Sequence, residues 1–276
     1  MDRRKLFFAV FGICSLLTTA LAAPSDSNEG FPLRWRYPEE QFISTQQFYQ
    51  MYPKVIVVDA RTKFEWETLR VKGSINMPVD EIDTGFNRQF EHDLKKLRQQ
   101  TTKPIVFYCN GRTCPKSYEA ARRAIRIGVT NVYTYDAGII DWVKAHPELS
   151  ELYGASPVSP DALISDTEFK AHLISASDFE SRVRKVKDCH CIVLDVRDLA
   201  QRDYSLFPMH DVHVTLDNKK RLDQEIDAAL RDHKTLLAYD AVGKQVPWLQ
   251  YYFVKHGVKN YYFMKDGEAG YVAAIK

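Results

Sequence analysis

Short β-branched runs alternate with longer stretches of helical periodicity along most of this chain. Val55-Ile56-Val57-Val58 is a compact apolar run closed by Asp59, which predicts a buried strand. Ser44 followed three residues later by Gln47 marks a helix start just before it. Phe90, Leu94 and Leu97 stand at helical spacing, and Ile105–Tyr108 forms a second short apolar run. Residues 117–127 predict a helix with Ala120, Ala121, Ala124 and Ile125 on one face and Gly128 at its end. Val132–Tyr135 predicts a third strand. Strand and helix in alternation imply a parallel sheet covered on both faces, with ligands at the carboxyl ends of its strands.

The pattern occurs twice. Ile43-Ser44 and Phe48 return as Ile174-Ser175 and Phe179, and Val57-Val58-Asp59-Ala60-Arg61 returns as Val193-Leu194-Asp195-Val196-Arg197. Ile105–Cys109 returns as Leu236–Asp240, and Gly128-Val129-Thr130-Asn131-Val132-Tyr133 as Gly257-Val258-Lys259-Asn260-Tyr261-Tyr262. Gly138 and Trp142 match Gly267 and Tyr271. The offset moves between 129 and 136, as loop insertions require. Pro147, Gly154, Pro157 and Pro160 punctuate the stretch between the copies, and such residues break helix and sheet alike. Each copy holds about 110–125 residues, enough for a core of its own.

Residues 1–22 have a different character. Arg3, Arg4 and Lys5 precede an apolar run, and Ala20-Leu21-Ala22 supplies a small-x-small cleavage site. They predict a signal peptide and a mature chain that is periplasmic or secreted. Of 38 basic and 36 acidic residues, removal of this segment leaves 35 of each. A neutral mature chain offers no broad electrostatic reason to bind nucleic acid. No later apolar run is long enough to predict a membrane span. Four cysteines follow the signal, Cys109, Cys114, Cys189 and Cys191, too few for a disulfide-built scaffold.

Chemistry concentrates after the Ile105–Tyr108 strand. Cys109 opens a loop, Asn110-Gly111-Arg112-Thr113-Cys114-Pro115-Lys116, that leads to Ser117 and the next helix. Unpaired amides at a helix start form an anion cradle, and a cysteine facing it has its thiolate favoured. Arg112 and Lys116 add positive charge, Gly111 permits tight curvature, and Ser117 is expected to cap the helix. A thiolate nucleophile for a sulfur- or phosphorus-containing anion follows. Alone, Cys109 could equally be a buried strand-end cysteine.

These features, in this order, resemble the rhodanese family of sulfurtransferases in a tandem form. The resemblance rests on Val58-Asp59-Ala60-Arg61, Gly73-Ser74-Ile75-Asn76-Met77-Pro78, the Tyr108-Cys109 loop, Gly128-Val129 with Val132-Tyr133, and Ala137-Gly138 with Trp142. It implies an α/β fold of two doubly wound domains, each with a central, mainly parallel sheet flanked by helices. It also implies that Cys109 is catalytic, accepting sulfane sulfur as a persulfide and passing it to a thiol or cyanide, with no cofactor and no metal. Asp59 and Arg61 are expected to serve a structural role at a strand end. The implied partners are a small sulfur-containing anion or persulfide donor and a thiol acceptor or redox protein. The expected organisation is a signal over 1–22, an extension over 23–33, a first domain over 34–150, a linker over 151–168 and a second domain over 169–276.

Two departures matter. Seven residues separate Cys109 from Ser117, where the family loop has five, and Cys114 lies within that loop. Cys114 could resolve a persulfide or an oxidised Cys109 as a disulfide. In the second copy Asp240 takes the nucleophile position and Val246 the helix-capping position. A carboxylate carries no persulfide, so this copy is expected to be catalytically silent. The rival reading is a non-enzymatic redox-sensing or partner-binding protein built on a Cys109–Cys114 disulfide. A cysteine phosphatase would want arginine where Lys116 stands, and no histidine has a recognisable role beside Cys109. Cys189-His190-Cys191, with His210 and His213, invites a metal reading, but Cys191 runs straight into the Ile192–Leu194 strand and a strand-edge loop is expected there.

Overall fold

The computed structural model describes residues 30–80, 85–184 and 190–275. The expected signal segment and Cys189 lie outside them. In the first copy, helix α1 (Thr45–Met51) starts at Ser44, whose hydroxyl accepts from the Gln47 N–H while the Gln47 side chain accepts from the Ser44 N–H. Strand β1 (Ile56–Asp59) follows, then α2 (Lys63–Thr68), β2 (Leu69–Val71), β3 (Ile75–Asn76), α3 (Gly85–Gln100), β4 (Ile105–Tyr108), α4 (Lys116–Arg126), β5 (Val132–Tyr135) and α5 (Gly138–Ala145). After β6 (Ser150–Leu152) and α6 (Asp166–Ala171), the second copy runs β7 (Leu173–Ile174), α7 (Ala176–Arg184), β8 (Cys191–Asp195), β9 (Asp211–His213), α8 (Lys219–Arg231), β10 (Thr235–Tyr239), α9 (Val246–Lys255), β11 (Tyr261–Met264) and α10 (Gly267–Ile275).

The two sheets share one topology. The first is ordered β3-β1-β4-β5 and the second β7-β11-β10-β8-β9, with every neighbouring pair parallel. The first gains its counterpart of β7 from residues 41–43. The Ile43 N–H donates to the Thr134 carbonyl at 3.1 Å, and the Thr134 N–H donates to the Gln41 carbonyl at 2.9 Å. The repeat seen in the sequence is therefore a repeat of strand order.

Alternation along the strands assigns residues to cores. Val58 and Phe107 pack with Phe90, Leu94, Ala120 and Ala124 under α3 and α4. Val193, Leu237 and Met264 pack with Phe179 on the outer face of the second sheet. Val57, Val106, Leu194, Leu236 and Ala238 belong to one apolar cluster that runs through both copies. Across the boundary Phe64 meets Tyr252 at 5.4 Å between ring centres, and Lys219 pairs with Glu67. The Tyr251-Tyr252-Phe253 run is buried core.

The stretch between the copies is more regular than its prolines and glycines suggest. Its Ser150–Leu152 strand pairs antiparallel with β2, matching Leu69 to Leu152 and Val71 to Ser150. The pairing ties the inter-copy stretch to the first copy and uses backbone groups that an open loop would leave to water.

Candidate active site

The site is built at the carboxyl end of β4. Cys109 follows that central strand directly and is 1% exposed. Its carbonyl accepts from the Ile139 N–H at 2.9 Å, which binds the loop to the start of α5. Gly138 makes this approach possible. Its φ is +79°, and a β-carbon there would run into Gly111 and the Asn110 carbonyl carbon. The Cys114 N–H donates to the Gly111 carbonyl at 2.9 Å and turns the loop back on itself. Cys109 and Cys114 are joined as a disulfide, with their Cα atoms 6.3 Å apart.

Beneath the loop lies a buried charge network. Arg61 donates from Nε and Nη2 to the two carboxylate oxygens of Asp59, at 2.9 and 2.6 Å, and from Nη2 to the Leu69 carbonyl at 2.6 Å. Burial works to lower the Arg61 pKa, but the Asp59 carboxylate outweighs it and holds the guanidinium above its ordinary value. Arg61 Nη1 reaches up to Asn110 Oδ1 at 3.1 Å, and Asn110 Nδ2 donates to Glu65 Oε1 at 2.7 Å. The other Glu65 oxygen accepts from the Thr62 N–H and hydroxyl at the start of α2. One carboxylate thus caps a helix and positions the residue after Cys109. The Trp248 ring of the second copy lies 4.9 Å from the Arg61 guanidinium carbon.

The predicted loop residues divide in what they do. Asn110, Gly111 and Cys114 face the network, α5 and Cys109 as described. Arg112 is exposed and paired with Asp141 at 3.0 Å, with its guanidinium over the Phe31 ring, so its charge is directed to α5 and the N-terminal segment. Thr113 is exposed, and Lys116 is the first residue of α4. Ser117 does not cap the helix. Pro115 holds the cap position, because its fixed φ suits the first turn, and no side chain bonds there. Ser117 is instead fully buried in the first turn, its Oγ without a hydrogen-bond partner among the described residues.

Glu65 and Trp248 were not among the sequence candidates. Thr62 followed by Glu65 is a capping-box spacing that could have drawn attention to the first. Trp248 carried no signal apart from its apolar helix.

The second copy repeats the frame. Arg197 donates from Nε and Nη2 to Asp195 at 2.9 and 2.7 Å, and Gly267, with φ of +57°, lies against Asp240 as Gly138 lies against the first loop. The loop content differs. The Asp240 carboxylate accepts backbone N–H bonds from Val242 and Val246, each at 3.1 Å, from Gln245 at 2.5 Å, and from Gly243. Burial pushes this carboxyl above the ordinary carboxylate range, and the four donors work against that rise. Val246 is the first residue of α9, with Gln245 at the cap, so it too is not the cap. Measured to the helix start, Lys116 lies seven positions beyond Cys109 and Val246 six beyond Asp240. The two-residue difference between the copies remains in the strand register, 27 positions from Ile105 to Val132 against 25 from Leu236 to Tyr261, with one residue falling before the helix start and one in the first turn of α4.

No group of three or more His, Cys, Asp or Glu side chains able to hold a metal occurs among the described residues. His213 Nε2 lies 2.9 Å from the Arg197 carbonyl.

Residues 44–145 match the rhodanese-like domain family. The Rhodanese domain-containing protein CG4456 of Drosophila melanogaster is 30% identical over 97 residues, 34% of this chain and 86% of that protein. The chain belongs to the rhodanese-like family. The thiosulfate:glutathione sulfurtransferase of Saccharomyces cerevisiae is 28% identical over 96 residues, 33% of this chain and 67% of the yeast protein. A tRNA uridine(34) hydroxylase of Hamiltonella defensa is 29% identical over 107 residues, 38% of this chain, and the match spans only 28% of the hydroxylase. The second rhodanese-like copy is read from its sheet order, which lies outside the matched segment.

Proposed function

We propose that this rhodanese-like protein is an exported sulfurtransferase. Cys109 accepts sulfane sulfur as a persulfide and passes it to a thiol or cyanide acceptor. The observation that carries the reading is the position of Cys109 at the carboxyl end of the central strand β4, on the loop that feeds α4, inside the segment that matches the family. A helix start stabilises a thiolate and the negative charge of a persulfide. A sulfurtransferase among the relatives supports the reaction class, while the hydroxylases among them leave the donor described by its chemistry, a small sulfur-containing anion or a persulfide. Export rests on residues 1–22. The second copy is silent in this reading, because Asp240 stands in place of a nucleophile and its carboxylate occupies the loop amides.

The disulfide favours a second reading, in which Cys109 and Cys114 form a reversible redox sensor without transferase activity. Thiocyanate formation from thiosulfate or glutathione persulfide with cyanide, by protein reduced beforehand, separates the two. Turnover by the wild type that is lost in Cys109→Ser supports the transferase. No turnover with any sulfane donor leaves the sensor.

A further inference from the structure

Cys114 is bonded to the sulfur that the proposed reaction loads. We propose that Cys114 is a resolving thiol that discharges the Cys109 persulfide as hydrosulfide, making the protein a dithiol-dependent sulfane reductase as well as a transferase. This rests on the persulfide reading of Cys109.

The geometry identifies which sulfur Cys114 attacks. A persulfide has an inner sulfur, the Cys109 Sγ, and an outer sulfane sulfur. Attack on the outer atom would move the sulfane onto Cys114 as a relay. Attack on the inner atom would form a Cys109–Cys114 disulfide and expel the outer atom. The loop, turned by the Cys114 N–H bond to the Gly111 carbonyl, brings Cys114 Sγ to bonding contact with the Cys109 Sγ. The Cys109–Cys114 disulfide of the structure is the bond that inner attack forms, whereas outer attack forms none between these two sulfurs. The Cα separation of 6.3 Å lies within the range that disulfides span without moving the backbone.

The reaction balances within the protein. In the loaded state, Cys109 carries an S–S⁻ group and Cys114 is a thiol. The Cys114 sulfur forms a bond to Cys109 Sγ, the bond from Cys109 Sγ to the sulfane sulfur breaks, and its electron pair leaves with the sulfane atom. The Cys114 proton ends on that atom, which departs as HS⁻. The sulfane sulfur is reduced by two electrons, and the two cysteine sulfurs supply one each.

Turnover then needs an external dithiol. Cys109 is 1% exposed whereas Cys114 is half-buried at the loop surface, so the incoming thiolate meets Cys114 first. Attack there breaks the disulfide and expels the Cys109 thiolate. The reductant's second thiol clears the mixed disulfide from Cys114, and Cys109 returns ready for the next donor. The buried sulfur is thus reserved for the sulfur donor and the accessible one for the reductant.

The test is a single turnover on full-length protein. Wild type and Cys114→Ser are reduced, loaded with glutathione persulfide, freed of excess reagent and followed without acceptor. The wild type is expected to release close to one equivalent of hydrosulfide and to lose both loop thiols. Cys114→Ser is expected to keep the added sulfur on Cys109, releasing sulfide at least about tenfold more slowly, and to surrender it to cyanide. In a second arm, the oxidised wild type is treated with glutathione, alkylated and cleaved after Arg112, which separates the cysteines; glutathione is expected on the Cys114 peptide. A wild type that holds its persulfide beside a free Cys114, or equal sulfide release by both proteins, would overturn the inference while leaving the transferase intact. Absence of added sulfur from both proteins would remove the persulfide reading and this inference together.

Discussion

Gly138 packs so closely against Gly111 that a β-carbon at position 138 would occupy the Gly111 backbone. The φ of +79° at Gly138 adds a second reason for glycine. Gly138→Ala is therefore expected to push the nucleophile loop off the start of α5 and break the Ile139 N–H bond to the Cys109 carbonyl. The left-handed backbone alone costs about 1–2 kcal/mol for a residue with a side chain, and the clash adds to it. A thermal melt and the rate of thiocyanate formation should both fall. A variant with unchanged stability and rate would show that the contact does not hold the loop.

Asp240 turns the second copy's loop into a closed structure. Asp240→Ala would leave four backbone N–H groups without their acceptor. One of these bonds is buried and three are part-buried; with a buried unpaired group costing about 1–3 kcal/mol, less where water can reach it, a loss on the order of 2–3 kcal/mol is expected. Asp240→Asn keeps one acceptor oxygen and should lose less. Chemical denaturation checks the ranking, and sulfur transfer at Cys109 should persist under folding conditions. Equal midpoints for wild type and Asp240→Ala would contradict this account of the loop.

Trp248 joins the second copy to the site, since its ring lies over the Arg61 guanidinium that holds Asn110. Trp248→Ala should cost about 3–5 kcal/mol from lost burial, part of it the cation–π contact. It should also slow transfer even where the protein is fully folded, because Arg61 then gains room to shift. Trp248→Phe keeps a ring and should recover most of the rate. If Trp248→Ala lowers stability but leaves the rate of folded protein unchanged, the second copy supports the fold and not the site.

Glu40 makes stability depend on pH. Its carboxyl accepts from Thr134 Oγ1 at 2.6 Å and is buried, and burial raises its pKa to about 8, with the Thr134 bond opposing and nearby Glu119 adding to the rise. The folded state then keeps a proton that the unfolded chain loses at about pH 4.3. The contribution is complete below that pH and is lost as pH rises toward about 8, at up to about 1.4 kcal/mol per pH unit. Melting temperatures from pH 5 to 9 should decline less for Glu40→Gln, which mimics the protonated acid. Parallel curves would rule this out.

The strands were legible because β-branched runs such as Val55–Val58 and Ile105–Tyr108 have few other uses in a chain of this composition. The observed β1 is displaced by one residue, to Ile56–Asp59, within the usual uncertainty of strand ends. The role of Asp59 and Arg61 as a strand-end support was also legible from their repetition as Asp195 and Arg197. The start of α4 was misplaced, although Ser44 was rightly read as the cap of α1, because Ser117 near a helix end also reads as a cap, whereas Pro115 fixes the backbone first. The β2–β6 ribbon pairs two three-residue strands 79 or more positions apart, too short for any periodicity to register. Trp248 looks the same in sequence whether it faces its own core or Arg61, because apolar helix positions do not name the surface they cover.

The central claim is that Cys109 carries the sulfur in transit. Peptide mass spectrometry on reduced full-length Cys114→Ser, in which no loop disulfide can form, tests it most directly. After incubation with thiosulfate or glutathione persulfide, one added sulfur should appear on the Cys109 peptide and vanish when cyanide is supplied, in step with thiocyanate. Thiocyanate formation with no sulfur on that peptide, or undiminished formation by Cys109→Ser, would contradict the account.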